Sequence, residues 1–244
     1  VSYRRVRLEC DPTVDPVGLM PLVEVLDWAQ RGVAHLLGRS RPDTLTVVNP
    51  TDLPDYQART GYGFHRLYRR TGSAAVVEPA NVLFARGLAL HAAYHLVTVW
   101  ELEHRVAGAE LPRWLTDGLA SYVAEEGPHH LSYLAMHRPH GPVVMPPAQV
   151  EAILAGDPDP DPETDKRQYR MASYSAFLMA WELVEHRGGL ATLNGFLDDV
   201  GAGMDVDQAS RRHYGHDLAS LAAQLDATSR PEPVGDAVQA RPVH

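Results

Sequence analysis

The strongest constraint on the fold is a long apolar segment, residues 81–107, which contains two histidines four residues apart, His91 and His95. Leucine, valine and tryptophan recur through the segment at helical spacing, so it predicts one long helix with an N-cap at Asn81. Apolar side chains lie on several sides of this predicted helix. We therefore expect neighbouring elements to cover it and the helix to be central in the fold.

The spacing of His91 and His95 places both imidazoles on one side of the predicted helix. Four residues turn the chain by about 400°, so the two rings lie about 40° apart around the axis and about 6 Å apart along it. Both can then reach one metal ion at ~2.0–2.1 Å. However, the chain has 13 histidines, and that number alone gives about 0.7 such pairs by chance. The pair by itself is equally compatible with ordinary histidines.

A second helix is predicted after Gly108, with Pro112 in its first turn and its end near Glu126. The short break at 108–111 would fold this helix back beside the first one. Asp117 would then approach the histidine pair. Two histidines and one carboxylate leave one zinc coordination position for water, which is typical of catalytic rather than structural zinc.

Residues 111–122, LPRWLTDGLASY, resemble the second metal segment of the gluzincin metallopeptidases. The resemblance is to the peptidase MA-like families in particular, whose pattern is L-P-x-W-L-x-E-G-L-A-x-Y. Residues 174–189 resemble the helix that follows the site in this family, and residues 207–218 resemble its closing helical pair.

The resemblance implies a zincin-like fold with one zinc ion and a peptide or protein as substrate or ligand. It implies that His91 and His95 are zinc ligands and that Asp117 stands at the position of the third ligand. Tyr174 stands near the sequence position of a tyrosine that in some members of the family could face the oxyanion. The resemblance therefore also implies a role for Tyr174 in oxyanion stabilisation.

Two positions depart from the family pattern. Ala92 stands where the H-E-x-x-H motif has a glutamate, which takes a proton from the zinc-bound water. Loss of such a general base typically slows a reaction by roughly 10²–10⁴-fold, although zinc alone lowers the pKa of its water to about 7. Asp117 replaces a glutamate and has about 1.3 Å less reach; aspartate is nevertheless an established zinc ligand.

These residues predict a zinc metallopeptidase-like domain that binds metal but is catalytically impaired or atypical. Ala92 is compatible with a naturally decayed site and with an engineered knock-out, and the second departure at Asp117 favours the first. The alternative is a pseudopeptidase without metal that binds a peptide or a protein. Four further histidines lie in a predicted loop: His129, His130, His137 and His140. The simpler interpretation is that they are exposed loop side chains. The alternative is that the loop folds over the cleft and one of them supplies a metal ligand or a base.

The order of predicted elements indicates an α+β fold with a boundary near residue 80. Residues 1–80 form an N-terminal subdomain with a small sheet and one long helix at 17–37. Strands are predicted at 3–9, 44–48, 63–70 and 73–78. Residues 81–227 form a mostly helical subdomain that carries the metal site, with an acidic solvated loop at 157–165. The tail, residues 228–244, is predicted to be disordered.

Composition excludes several classes of function. The net charge of −9 argues against nucleic acid and anionic membrane surfaces as partners. No apolar run reaches the roughly 18 residues of a membrane span, and no basic-then-apolar leader is visible, so we expect a soluble protein. The chain begins with Val1, which is compatible with a trimmed N-terminus. Cys10 is the single cysteine, which rules out a disulfide framework and a cysteine-based zinc site.

Overall fold

The computed structural model describes residues 1–38, 44–63, 66–71, 74–106, 108–124 and 145–229. These residues form a small sheet and a larger set of helices, which confirms a mixed α+β fold. The strands are β1 (Ser2–Tyr3), β2 (Val6–Cys10), β3 (Leu45–Asn49), β4 (Tyr68–Thr71) and β5 (Ala74–Val77). The helices are α1 (Met20–Leu36), α2 (Leu53–Thr60), α3 (Ala80–Ala85), α4 (Ala89–Arg105), α5 (Arg113–Val123), α6 (Pro147–Ala155), α7 (Pro162–His186), α8 (Gly189–Gly201), α9 (Val206–Tyr214) and α10 (Leu218–Ser229).

The sheet has the order β1-β2-β3-β5-β4. Its central pairs, β2 with β3 and β3 with β5, are parallel, and each edge strand is antiparallel to its neighbour. Val6 and Leu8 are buried while Arg7 and Glu9 between them are exposed. This period of two means that the sheet buries one face of β2 against the interior, where α1 packs on it.

The first strand differs from the prediction. The alternation in residues 3–9 predicts one strand, but the structure has a hairpin in which Tyr3 pairs with Val6. Arg4 and Arg5 form the turn, and Arg4 has a φ of 50°, in the left-handed region. Tight hairpin turns need residues with positive φ, and these positions are usually occupied by Gly, Asn or Asp. Since two arginines stand there instead, the pattern gave no turn signal.

The central helix also differs from the prediction, because two helices, α3 and α4, take the place of one. Gly87 has a φ of 68°, and the N–H of Leu88 donates to the carbonyl of Leu83 at 2.8 Å. This is the hydrogen bond of a Schellman motif, which ends α3. The N-cap of α3 is Pro79 and not Asn81. Similarly, Pro112 caps α5 and does not lie in its first turn.

The acidic stretch 157–165 is partly helical, contrary to the prediction of a solvated loop. Asp161 is the N-cap of α7, and its carboxylate accepts from the N–H of Thr164 at 3.2 Å. Pro162 follows at the first helical position, a combination typical of helix starts. Asp165 in the first turn is buried, with 3% of its surface exposed.

The interior is formed mainly by helices packed on one another. Helix α4 packs against α1 and α5, and α5 packs against α7. At Gly118 the contact between α5 and α7 is so close that a β-carbon would overlap the carbonyl oxygen of Ala176. This explains in physical terms why a glycine follows Asp117. The buried apolar residues of the sheet and of these helices form one continuous cluster.

Several predictions concern residues outside the described ranges. They are the four loop histidines His129, His130, His137 and His140, and the tail from residue 230 onward. Residues 228 and 229 belong to α10. Among the helices in the described ranges, none is long and apolar enough to cross a membrane.

Candidate functional site

His91 and His95 lie on the same side of α4, as their spacing predicts. Their ring centroids are 6.1 Å apart and the ring planes are inclined by 39°. His91 is half-buried, whereas His95 is buried, with 8% of its surface exposed. The pair therefore spans from the protein surface into the interior.

Hydroxyl groups lie at both ring nitrogens of His95. The Tyr68 hydroxyl, from β4, is 2.9 Å from Nδ1, and the Ser121 hydroxyl, from α5, is 3.5 Å from Nε2. When Nδ1 carries the proton and donates to Tyr68, Nε2 keeps a lone pair that the Ser121 hydroxyl or a metal ion can use. His95 thus has a defined orientation, set by two other elements of the fold.

Neither Tyr68 nor Ser121 is predicted from the sequence to be part of the site. Ser121 had a usable signal: it follows Asp117 by four residues on α5, so a helix that directs Asp117 toward the histidines directs Ser121 there as well. Tyr68 had none, because the pairing of β4 with the sheet determines its position.

Asp117 lies in an unusual electrostatic environment. Burial raises the pKa of its carboxyl to about 6, against the opposing effect of the Arg113 charge one turn earlier on α5. The negative charges of Glu151 and Glu103 raise the pKa further. The Thr116 hydroxyl donates to Asp117 Oδ2 at a long 3.4 Å. The Asp117 carboxyl therefore takes up a proton at a higher pH than an ordinary aspartate does.

Tyr68 connects the two halves of this region. Burial raises the pKa of the Tyr68 hydroxyl well above its usual range, and the second cause is the negative charge of Asp117. Tyr68 therefore stays neutral and acts only as a hydrogen-bonding group. Its hydroxyl is in hydrogen-bond contact with His95, and the negative charge of the Asp117 carboxylate raises its pKa.

Among the residues that the structure describes, the donor groups do not assemble into a three-ligand metal site. Within the described ranges, no three or more His, Cys, Asp or Glu side chains stand together in a way that would hold a metal ion. The structure thus brings His91 and His95 together, and Asp117 interacts electrostatically with Arg113 and Tyr68. The zinc ion implied by the resemblance stays a prediction, which rests on the two histidines.

Position 92, where the resemblance implies a general base, lies in the protein interior. Ala92 has 2% of its surface exposed and belongs to the continuous apolar cluster. Of the nearby acids, Glu103 forms an ion pair with Arg70 at 3.0 Å, and Glu101 is buried further along α4. Neither replaces a glutamate at position 92. Glu125 and Glu126 lie outside the described ranges.

Tyr174 is completely buried in α7, and its hydroxyl has no contact with solvent. Oxyanion stabilisation by Tyr174 would require this part of α7 to open toward a substrate. Its role stays a prediction from the resemblance alone.

As far as the described ranges extend, the region around His95 is therefore a partly buried polar cluster and not an assembled three-ligand centre. It joins α4, β4 and α5 through His95, Tyr68 and Ser121. No protein-family model, curated protein or solved structure matches this chain. The interpretation of the cluster thus depends on the residues themselves.

Proposed function

We propose that the chain is a zincin-like domain that no longer hydrolyses peptides and that binds a peptide or protein partner. The observation that carries this proposal is the position of Ala92, inside the apolar cluster and next to His91. A zinc peptidase needs a base at this point to take the proton of the attacking water. The methyl group of Ala92 cannot accept a proton.

The remaining polar groups support the same proposal. Tyr68 is neutral at physiological pH, as tyrosine ordinarily is, and burial raises the pKa of its hydroxyl further. Ser121 is buried, with 1% of its surface exposed. Asp117 has a pKa near that of a useful base, about 6, but lies beside Arg113 and Tyr68. The cluster therefore orients a histidine without presenting a base to a water molecule.

Metal binding is a second candidate, favoured by the 6.1 Å separation of the His91 and His95 rings. These two imidazoles would hold the ion, and zinc, when bound, would supply a polarised water molecule. His95 would use Nε2, with Nδ1 donating to Tyr68 as an orienting contact.

Peptidase activity and metal content have to be measured separately. We expect no chelator-sensitive cleavage of a mixed fluorogenic peptide pool by zinc-saturated protein. Cleavage that chelator abolishes, and that His91→Ala also abolishes, would overturn the proposal. A matched control is His186→Ala, on a histidine that is 53% exposed beside Glu182 on α7.

The metal candidate is tested by zinc titration of the same three proteins. One zinc per chain, lost in His91→Ala and retained in His186→Ala, would support it. Zinc binding that is equal in all three proteins would show that other histidines take up the metal.

A further inference from the structure

An open cleft lies between the β1–β2 turn, α1 and the second half of α4. Its cavity volume is about 250 Å³. Trp100, in its wall, follows His95 by five residues, which is about 7.5 Å along the axis of α4 but about 140° around it, on another side of the helix. The cleft is therefore separate from the His95 cluster. The residues that matter for its chemistry are Arg4, Arg5, Asp27, Arg31, Trp100 and Glu101.

Two arginines share one carboxylate oxygen in this cleft. Asp27 Oδ2 lies 3.0 Å from the Arg4 guanidinium and 3.2 Å from that of Arg31. Asp27 is buried, whereas the Arg4 and Arg31 side chains are 53% and 63% exposed. Each guanidinium has several N–H donors, so one shared oxygen uses only a small part of them. Arg31 Nε also donates to the main-chain carbonyl of Asp27 at 3.5 Å, and both arginine side chains line the cleft.

The charge of the cleft is opposite to that of the whole chain. Three arginines and two carboxylates, Asp27 and Glu101, line it, whereas the chain as a whole has a net charge of −9. Glu101 is buried, with 4% of its surface exposed, and would repel an anion placed deep in the cleft. A ligand anion therefore belongs at the rim, between Arg4 and Arg31, with Trp100 as an apolar wall.

Arg4 has an unfavourable backbone conformation for its residue type. In the described ranges it is the one non-glycine residue with positive φ, at 50°. Glycine, asparagine or aspartate adopt this conformation more readily than a long side chain does. Costly backbone conformations of this kind cluster at functional sites. In this case the turn directs the Arg4 guanidinium toward Asp27 and the cleft.

We propose that this cleft binds a small anion, a carboxylate or a phosphate monoester, between the guanidinium groups of Arg4 and Arg31. Planar guanidinium groups match both kinds of oxyanion through paired N–H donors. Asp27 holds the two guanidinium groups in place. Its single negative charge neutralises only one of their two positive charges, and the bound anion neutralises the other.

The test is calorimetric titration of the full chain with inorganic phosphate and, separately, with succinate, at constant ionic strength. We expect saturable binding of at least one of the two anions, and the stronger one identifies the ligand class. Arg31→Gln and Arg4→Asn each remove a charge-assisted contact to the anion, so we expect the affinity to fall by about tenfold or more.

A matched control is Arg212→Gln. The Arg212 side chain is also 63% exposed and lies 3.2 Å from a single carboxylate, that of Asp199. We expect it to bind the anion as the unmodified chain does. The Arg4→Asn protein should melt close to the temperature of the unmodified chain, because asparagine accepts the left-handed conformation and this offsets the loss of the partly exposed ion pair with Asp27. A merely structural Arg4 would lower the melting temperature when replaced.

Three results would overturn the proposal. One is the lack of saturable binding for both anions. Another is an equal loss of affinity in Arg212→Gln, which would indicate general surface charge. The third is unchanged affinity in Arg31→Gln or in Arg4→Asn.

Discussion

The guanidinium of Arg66 lies 2.8 Å from the carboxylate of Asp165, and both side chains are almost completely buried. Arg66 precedes β4, and Asp165 lies in the first turn of α7, 99 residues later. The Arg66 guanidinium is also within 5 Å of the ring centroids of Tyr62, at 4.9 Å, and Tyr169, at 4.6 Å. This pair connects the segment that contains the sheet to the long helix of the second half.

Removing one partner of this pair should be strongly destabilising. In Asp165→Ala the Arg66 charge stays buried without its carboxylate, and we expect a loss of about 3–5 kcal/mol in the free energy of unfolding. Urea denaturation measures this loss. The control is Glu163→Ala in the same helical turn, whose side chain is 77% exposed beside Lys166; its loss should stay below about 1 kcal/mol. Equal effects of the two changes would contradict the prediction.

Gly118→Ala should separate α5 from α7. The new β-carbon would overlap the Ala176 carbonyl oxygen, and a backbone atom cannot move aside as a side chain can. Overpacking of this kind costs about 1–3 kcal/mol, to be measured by urea denaturation. In Gly18→Ala the β-carbon meets nothing within 4 Å, so that protein should keep its stability. A fully stable Gly118→Ala protein would mean that the two helices can shift apart.

Ala92→Glu tests whether the general-base position faces water. Ala92 is buried in the apolar cluster, so a glutamate there would lose its hydration, and we expect destabilisation of about 3 kcal/mol or more. Leu90→Glu is a control on the same helix, because Leu90 is 45% exposed. An Ala92→Glu protein of normal stability that cleaves peptides in a zinc-dependent way would show that position 92 faces the metal.

The free energy of unfolding of chelator-treated protein should decrease as the pH is raised from about 4 to about 6. Burial raises the pKa of the Asp117 carboxyl to about 6 in the folded chain, whereas an unfolded aspartate titrates near about 3.9. Between these values the folded state binds more protons, so the free energy of unfolding decreases as pH rises. Above about pH 6 the total loss in the free energy of unfolding from this titration is on the order of 1–3 kcal/mol.

Asp117→Asn removes this titration. We expect the variant to lose stability less steeply than the unmodified chain over this range and to be the more stable protein at pH 7, both measured by urea denaturation at several pH values. Parallel pH curves for the two proteins would contradict the prediction. A reversal of their order after addition of zinc at pH 7 would identify Asp117 as a ligand, because only the ionised carboxylate binds the metal.

Local patterns were sufficient for the elements whose signals lie in neighbouring residues. The spacing of apolar residues located α1 and β3 to within a few residues. The break at Gly87 and the turn at Arg4 were missed, because one glycine inside an apolar run is a weak signal and arginine is not a turn residue. Tyr68 reaches His95 through strand pairing, and no spacing along the chain predicts such a contact.

The sheet ends in short strands on both sides: β1 has two residues and β4 has four. Many proteins capture an extended peptide by adding it as a further strand to an exposed edge, which depends on main-chain hydrogen bonds. In the ranges that the structure describes, β1 offers too little length for this, and β4 carries Arg69 and Arg70, charges that discourage pairing. A peptide partner would therefore be recognised by its side chains, and methylation of its backbone nitrogens should leave its affinity unchanged.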